Sequence, residues 1–166
     1  MPLERLSAAW RETYVTSAFN HEFEDERKEC VFCVLGTEEV NESTGVLKKS
    51  EYSYIVLNAF PYGSGHLLVV PYRHVGGLDE LSDEEYADFS GLIREATVAL
   101  DKAYEPDGMN VGMNLGTAAG AGIPQHLHAH ALPRWNGDTN FMTSIGETRV
   151  LSESLASTWR KVHAHL

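Results

Sequence analysis

Residues 125–135 read QHLHAHALPRW. His126, His128 and His130 alternate with Leu127, Ala129 and Ala131, and a two-residue period belongs to a β-strand, whose successive side chains point to opposite faces of a sheet. The pattern therefore calls for a strand with a small apolar face turned to a core and a wall of imidazoles on the other side. Solvation alone does not require histidine, because Thr, Lys or Glu would serve as well. Three crowded rings with a shared pKa near 6.5 are also awkward electrostatic neighbours. Two chemical uses remain: a metal cluster, or phosphoryl chemistry with imidazole as the nucleophile.

The surrounding chain narrows the setting. Its 166 residues suit one domain with one hydrophobic core. A formal net charge of −11 and the lack of any Lys/Arg run speak against a nucleic-acid surface, so an anionic ligand has to be held locally. The first residues lack the basic cluster and apolar run of a signal peptide, and no apolar stretch has membrane-spanning length. A cytoplasmic protein with no membrane partner is expected. Cys30 and Cys33 are the only cysteines, and in a reducing compartment so close a pair reads as metal or redox chemistry.

Leu3, Leu6, Trp10 and Tyr14 follow helical spacing and predict an N-terminal amphipathic helix, joined through the acidic HEFEDERKE to a turn or short helix around Cys30–Cys33. A polar loop is expected to about Gly45. YSYIVLNAF and HLLVVPY then predict two strands broken by PYGSG. Ser82 and Glu85 form a capping box, and Tyr86, Phe89, Ile93, Ala96 and Leu100 give the following helix an apolar face that ends near Tyr104. MNVGMN predicts a further strand. Val150, Leu151, Leu155 and Trp159 mark a closing helix. The expected fold is α+β, with helices packed on a mainly antiparallel sheet.

The glycine-rich GTAAGAGIP leads directly into the histidines, and glycine lets backbone N–H groups approach phosphate oxygens closely. That juxtaposition favours phosphoryl chemistry. Cys30-Val-Phe-Cys33 has zinc-knuckle spacing, with His74 of PYRH as the natural third ligand. A redox pair, or two reduced thiols in a core, are the other readings of the cysteines.

His126-Leu127-His128-Ala129-His130-Ala131-Leu132 resembles the signature of the histidine-triad (HIT) superfamily. LNAFPYGSGHLLVVPYRH is similar to that family's nucleotide-side strand pair, GMNLGTAAGAG to its phosphate loop, and PRWNGDTNF to the branch acting on dinucleoside polyphosphates. The likeness runs from about Cys30 to Met142. It implies a single HIT-like domain over 1–166: an N-terminal helix and connection (1–29), the core (30–142) and a C-terminal helical extension (143–166). It also implies a two-fold dimer to which residues 82–104 contribute.

For individual residues the resemblance implies His128 as the nucleophile, His130 at the transition-state phosphate, and His66 as an additional catalytic histidine from the neighbouring strand. Asn58 would hold ribose hydroxyls, although as a residue type it also suits the turn before Pro61. Asn114 and Gly122 would bind phosphate, with Asn114 equally at home in a plain turn. In relatives that carry the cysteine pair, Cys30, Cys33, His74 and His126 would hold a structural zinc, which occupies the His126 lone pair and removes it from proton transfer. GAGIPQ stands where many relatives have Gly-Gln-Ser or Gly-Gln-Thr before the triad. This departure points toward dinucleoside tetraphosphate phosphorylases and away from the small phosphoramidate hydrolases.

The implied activity is cleavage of a dinucleoside polyphosphate, such as diadenosine tetraphosphate, through a nucleotidyl-His128 intermediate. Two rival functions are a phosphoesterase using zinc-bound water and a nucleotide-binding sensor without catalysis.

Overall fold

The computed structural model describes residues 30–139 and 151–166. The expected N-terminal helix lies outside them, as do Val150 and residues 140–149. Among the described residues five strands form one fully antiparallel sheet in the order β1-β2-β3-β5-β4. They are β1 (Val46–Lys49), β2 (Ser53–Leu57), β3 (Leu67–Pro71), β4 (Gly108–Met113) and β5 (Ala129–Arg134). Among the described residues, helices α1 (Val31–Thr37), α2 (Asp83–Tyr104) and α3 (Leu155–His163) accompany the sheet in an α+β arrangement.

Strands β2 and β3 are buried on both faces, which explains their near-continuous apolar sequences. One face, with Ile55, Leu57, Leu67, Val69, Ala129 and Ala131, packs on Phe89, Leu92, Ala96, Ala99 and Leu100 of α2. The other carries Tyr54, Val56, Leu68 and Val70, covered by Phe32 of α1. Leu68 pairs with His130, so the imidazoles share this second face.

The α2 boundaries follow the chain chemistry. Ser82 accepts from the Glu85 N–H at 3.2 Å while the Glu85 carboxylate accepts from the Ser82 N–H at 2.7 Å. At the other end Glu105 adopts left-handed φ of 45° and its N–H caps Asp101. Tyr86, expected on the apolar face, is instead 51% exposed, and Leu92 and Ala99 are buried in addition to the anticipated residues.

Strand β1 was not anticipated. Its four residues VLKK hold a single apolar pair, too short a pattern to show a period. In α3 the buried residues are Thr158 and Val162, whereas Leu151 and Leu155 are exposed. The reason is a polar anchor: Trp159 donates its indole N–H to the Val46 carbonyl at 3.0 Å and stacks on His163, which turns that side of the helix toward β1. His163 accordingly lies 3.1 Å from the Leu47 carbonyl through Nδ1. Among the described residues no helix is long and apolar enough to cross a membrane.

Replacing Phe89, fully buried beneath the sheet, with Ala should lower unfolding free energy by roughly 3–5 kcal/mol. Tyr86→Ala on the exposed side should stay within about 0.5 kcal/mol. Urea unfolding of the two variants checks the assignment of faces, and equal losses would contradict it.

Candidate active site

The histidine strand is shorter than its sequence period. β5 begins only at Ala129, and the β3–β5 ladder ends at Val69↔Ala129. Pro71, which has no N–H to donate, closes β3. Beyond that point the chain is held differently: Leu127 donates to the Val75 carbonyl at 2.6 Å, and His126 donates its backbone N–H to Ile123 at 3.3 Å. The side-chain alternation nevertheless persists. Leu127, Ala129 and Ala131 enter the α2 core, while the rings of His126 and His128 both meet Phe32 at 5.5 and 5.0 Å and His128 meets His130 at 5.1 Å.

Each imidazole is tied by a different atom. His128 donates Nδ1–H to the His126 carbonyl at 2.7 Å, which leaves the lone pair on Nε2. The residue is only 7% exposed, and burial lowers its pKa, so the neutral, nucleophilic form is favoured. His126 is tied the opposite way, donating Nε2–H to the Pro71 carbonyl at 2.8 Å and keeping its lone pair on Nδ1. Burial pulls its pKa down to about 4 against the contrary pull of that carbonyl.

His66 ends the PYGSG connection just before β3 and is fully buried. Its Nδ1 accepts the Tyr62 backbone N–H at 3.0 Å, so Nε2 carries the proton and donates to Nδ1 of His130 at 2.9 Å. His130 therefore carries its own proton on Nε2. Tyr62 stacks on His130 and tilts over His66, at centroid distances of 5.6 and 4.5 Å. The approach is made possible by Gly65, with φ of 77° and a would-be Cβ 2.7 Å from Pro133 Cγ and 3.0 Å from Tyr104 Cε2.

Asn58 uses its Oδ1 to accept from the Phe60 N–H at 2.9 Å, forming the turn before Pro61, while its Nδ2 lies 3.3 Å from Nδ1 of His66. The strand register puts Gly112 opposite His130 and Met113 opposite Ala129, and Asn114 is the next residue as the chain leaves β4. Gly112 leaves open space where a side chain would stand. The loop from Leu115 to Gln125 then returns the chain to the histidines, and Gly116 at its start takes a φ of 80° that side-chain-bearing residues rarely adopt. Gly122 lies in this loop, half-buried.

A second cluster adjoins the triad. Cys30, Cys33, His74 and His126 bring two sulfurs and two imidazole nitrogens within 4.8 Å of one another. Cys30 Sγ lies 3.3 Å from His126 Nδ1, and Cys33 Sγ lies 3.3 Å from His74 Nδ1 and 3.6 Å from His126 Nδ1. A tetrahedral zinc with Zn–S of about 2.3 Å and Zn–N of about 2.0 Å gives S···N edges of about 3.5 Å. The donor set fits such an ion, and the Pro71 carbonyl supplies the outer hydrogen bond that a metal-bound histidine ordinarily makes.

The HIT domain model matches residues 39–137. This chain belongs to the HIT family. Among its relatives is the Mycobacterium tuberculosis protein named AP-4-A phosphorylase, 44% identical over 115 residues that make up 69% of this chain and 59% of that protein. The HIT chain described here thus spans about three fifths of that relative's length. The Schizosaccharomyces pombe protein named bis(5'-nucleosyl)-tetraphosphatase (asymmetrical) is 31% identical over 93 residues, 56% of this chain and 50% of that protein. A crystal structure of a Zn-bound histidine triad family protein from Mycobacterium smegmatis superposes with TM-score 0.66 and 25% identity, covering 84% of this chain and 94% of that one.

All the expected site residues fall in these two adjoining clusters or the loops beside them. Phe32 and Tyr62 were not anticipated as parts of the site. Phe32 sits inside Cys30-Val-Phe-Cys33 and Tyr62 inside the PYGSG break, so the motifs marked their neighbourhoods without showing which way the rings turn. Trp135 packs edge-on against Tyr104 at the end of α2, as a structural contact, and Asn140 lies outside the described residues.

Gly65→Ala should destabilise the fold by roughly 2 kcal/mol or more, combining left-handed backbone strain with the Pro133 contact. Thermal unfolding measures it. An unchanged melting temperature would mean that the chain does not make the close turn that aims His66 at His130.

Proposed function

We propose that this chain cleaves dinucleoside polyphosphates of the diadenosine tetraphosphate type at the α-phosphate, through a covalent nucleotidyl-His128 intermediate. The observation that carries the reading is the His128 Nδ1–H bond to the His126 carbonyl, which leaves a neutral ring's Nε2 as a lone-pair nucleophile. The relatives named for AP-4-A phosphorylase and tetraphosphatase activities support the substrate class.

In the proposed step the Nε2 lone pair attacks the α-phosphorus in line, the N–P bond forms, and the P–O bond to the remaining phosphate chain breaks. The chain leaves as an anion, ATP in the case of diadenosine tetraphosphate. His130, oriented by the donor His66, turns its Nε2–H toward the charge that grows on the phosphoryl oxygens. Backbone amides near Gly122 and the Asn114 amide would cradle the same phosphates. Asn58 would hold the ribose with amide capacity that its turn leaves over. A second in-line attack, by water or inorganic phosphate, forms a new P–O bond and breaks the N–P bond, whose electron pair returns to Nε2 of neutral His128 while the proton of the attacking acceptor passes to solvent. Water gives AMP and phosphate gives ADP.

Cys30, Cys33, His74 and His126 would hold a structural zinc, favoured over a catalytic one because four protein ligands complete a tetrahedron without an open position for water. The ion would supply local cross-linking, not Lewis acidity. A two-fold dimer through residues 82–104 also belongs to this reading, supported by the exposed apolar Tyr86 and Val98 on α2. The compartment is proposed to be the cytoplasm.

Incubation with diadenosine tetraphosphate, with and without inorganic phosphate, should release ATP together with ADP or AMP, and His128→Ala should lose turnover by roughly 10³-fold or more while still binding nucleotide. Full turnover by His128→Ala contradicts the mechanism. Nucleotide binding without any products in the wild type would favour a sensor.

A further inference from the structure

The connection that carries His66 toward His130 leans on the C-terminal segment. Its last turn, at Gly65, closes on the ring of Tyr104, the final residue of α2, whose Cε2 stands 3.0 Å from where a Cβ at 65 would be. Tyr104 is fixed from the far side. Its hydroxyl donates to Oε1 of Glu153, and its half-buried ring lies edge-on to Trp135 at 5.9 Å and beneath Lys161 Nζ at 5.1 Å. The Glu153 side chain is only 10% exposed, and both its oxygens are committed: Oε1 also accepts from Thr158 at 3.0 Å, while Oε2 accepts from Ser157 at 3.3 Å and from Lys161. Glu153 thus ties the end of α2 to the first turns of α3. Beside it, the hydroxyls of Ser152 and Ser64 meet at 3.1 Å. Among the described residues a cavity of about 210 Å³, lined by Pro61, Gly63, Ser64, Leu151, Leu155 and Thr158, separates the connection from this segment elsewhere. Close packing therefore does not back the connection on that side, and its position depends on these few contacts. Glu153 and α3 also lie beyond residues 39–137 of the family match.

We infer that Glu153 is a positioning residue for the reaction: by holding the Tyr104 ring against Gly65 it fixes the turn that aims His66 Nε2–H at His130, and with it the direction of the His130 Nε2–H. The inference rests on the proposed reading of His66 and His130 as the pair that meets the phosphoryl charge. Without the Glu153 tie the turn relaxes toward the cavity, and the 2.9 Å bond between His66 and His130 loosens. The His128 tautomer, set by the His126 carbonyl, is untouched. The loss falls on the transition state, where the His130 donor is needed, and leaves nucleotide affinity nearly unchanged. A Glu153 that only fastened α3 would lower stability without slowing protein that remains folded.

The test is a double-mutant cycle in the full chain: wild type, Glu153→Ala, His66→Ala and the double variant. Tyr104→Phe serves as a milder probe that keeps the ring against Gly65 and removes only the hydroxyl tie. Two quantities are read at a temperature where circular dichroism shows every variant folded: kcat on diadenosine tetraphosphate, and affinity for AMP by calorimetry. Glu153→Ala should lower kcat roughly 10-fold and Tyr104→Phe roughly 3- to 10-fold, each with AMP affinity within about threefold of wild type. His66→Ala should itself lower kcat, and adding Glu153→Ala to it should cost less than about twofold more, because the two act through one contact path. The inference is overturned if folded Glu153→Ala keeps wild-type kcat, if its further cost in the His66→Ala background is larger than that, or if AMP affinity falls in step with kcat. Should Glu153→Ala fail to fold, Tyr104→Phe with and without His66→Ala decides on the same terms. Wild-type kcat in His66→Ala overturns the inference and leaves the nucleophile in place, whereas wild-type turnover by His128→Ala overturns the proposed function itself.

Discussion

A single hydrogen bond, 2.7 Å from His128 Nδ1 to the His126 carbonyl, decides what the triad can do. A neutral imidazole has one N–H and one lone pair, so committing the proton to a carbonyl on one side commits the lone pair to the other. The neighbouring rings receive different commitments. His126 is protonated on Nε2 by its bond to Pro71, with a lone pair facing the cysteines, and His130 is protonated on Nε2 because His66 donates to its Nδ1. Three identical side chains on one face thereby present a lone pair toward the cysteines, a lone pair on Nε2 and an N–H donor. The difference lies in which backbone or side-chain group meets each ring.

The architecture that enforces these commitments is economical in side-chain volume. Ala129 and Ala131 let β5 lie close against α2, where larger residues such as Phe89 and Leu100 fill the space. On the opposite face Gly112 pairs with His130 and leaves the space above it open. Phe32 closes the other end, and its apolar ring contributes to the burial that lowers the pKa values of His126 and His128. The same burial that makes histidine a poor cation here makes it a competent lone-pair donor.

Much of this was legible in the chain. The helix from Asp83 to Tyr104 is bounded by a capping box and a following proline, and the strands on either side of PYGSG declare themselves by composition. The alternation of His126, His128 and His130 with small apolar residues placed all three rings on one face. Yet that regularity overstated the strand, because its end is set from a distance: Pro71, in another strand, cannot extend the ladder, and Val75 takes over Leu127. Long-range constraints of this kind leave no periodic trace. The same holds for the four-residue β1, for the outward turn of Tyr86, and for Phe32 and Tyr62, whose roles depend on ring directions fixed only by packing. The cysteine pair and His74 could be read as ligands from spacing, whereas the fourth position came only from family resemblance before the fold brought His126 to them.

The most direct test of the account is a long-range ¹⁵N–¹H correlation spectrum of the histidine rings in wild-type protein near neutral pH, with assignments from single-residue variants. The alternation of tautomers predicts the proton on Nδ1 in His128 and on Nε2 in His126 and His130, with Nε2 of His128 showing the shift of an unprotonated, unligated nitrogen. A His128 ring protonated on Nε2, or charged on both nitrogens, would contradict it.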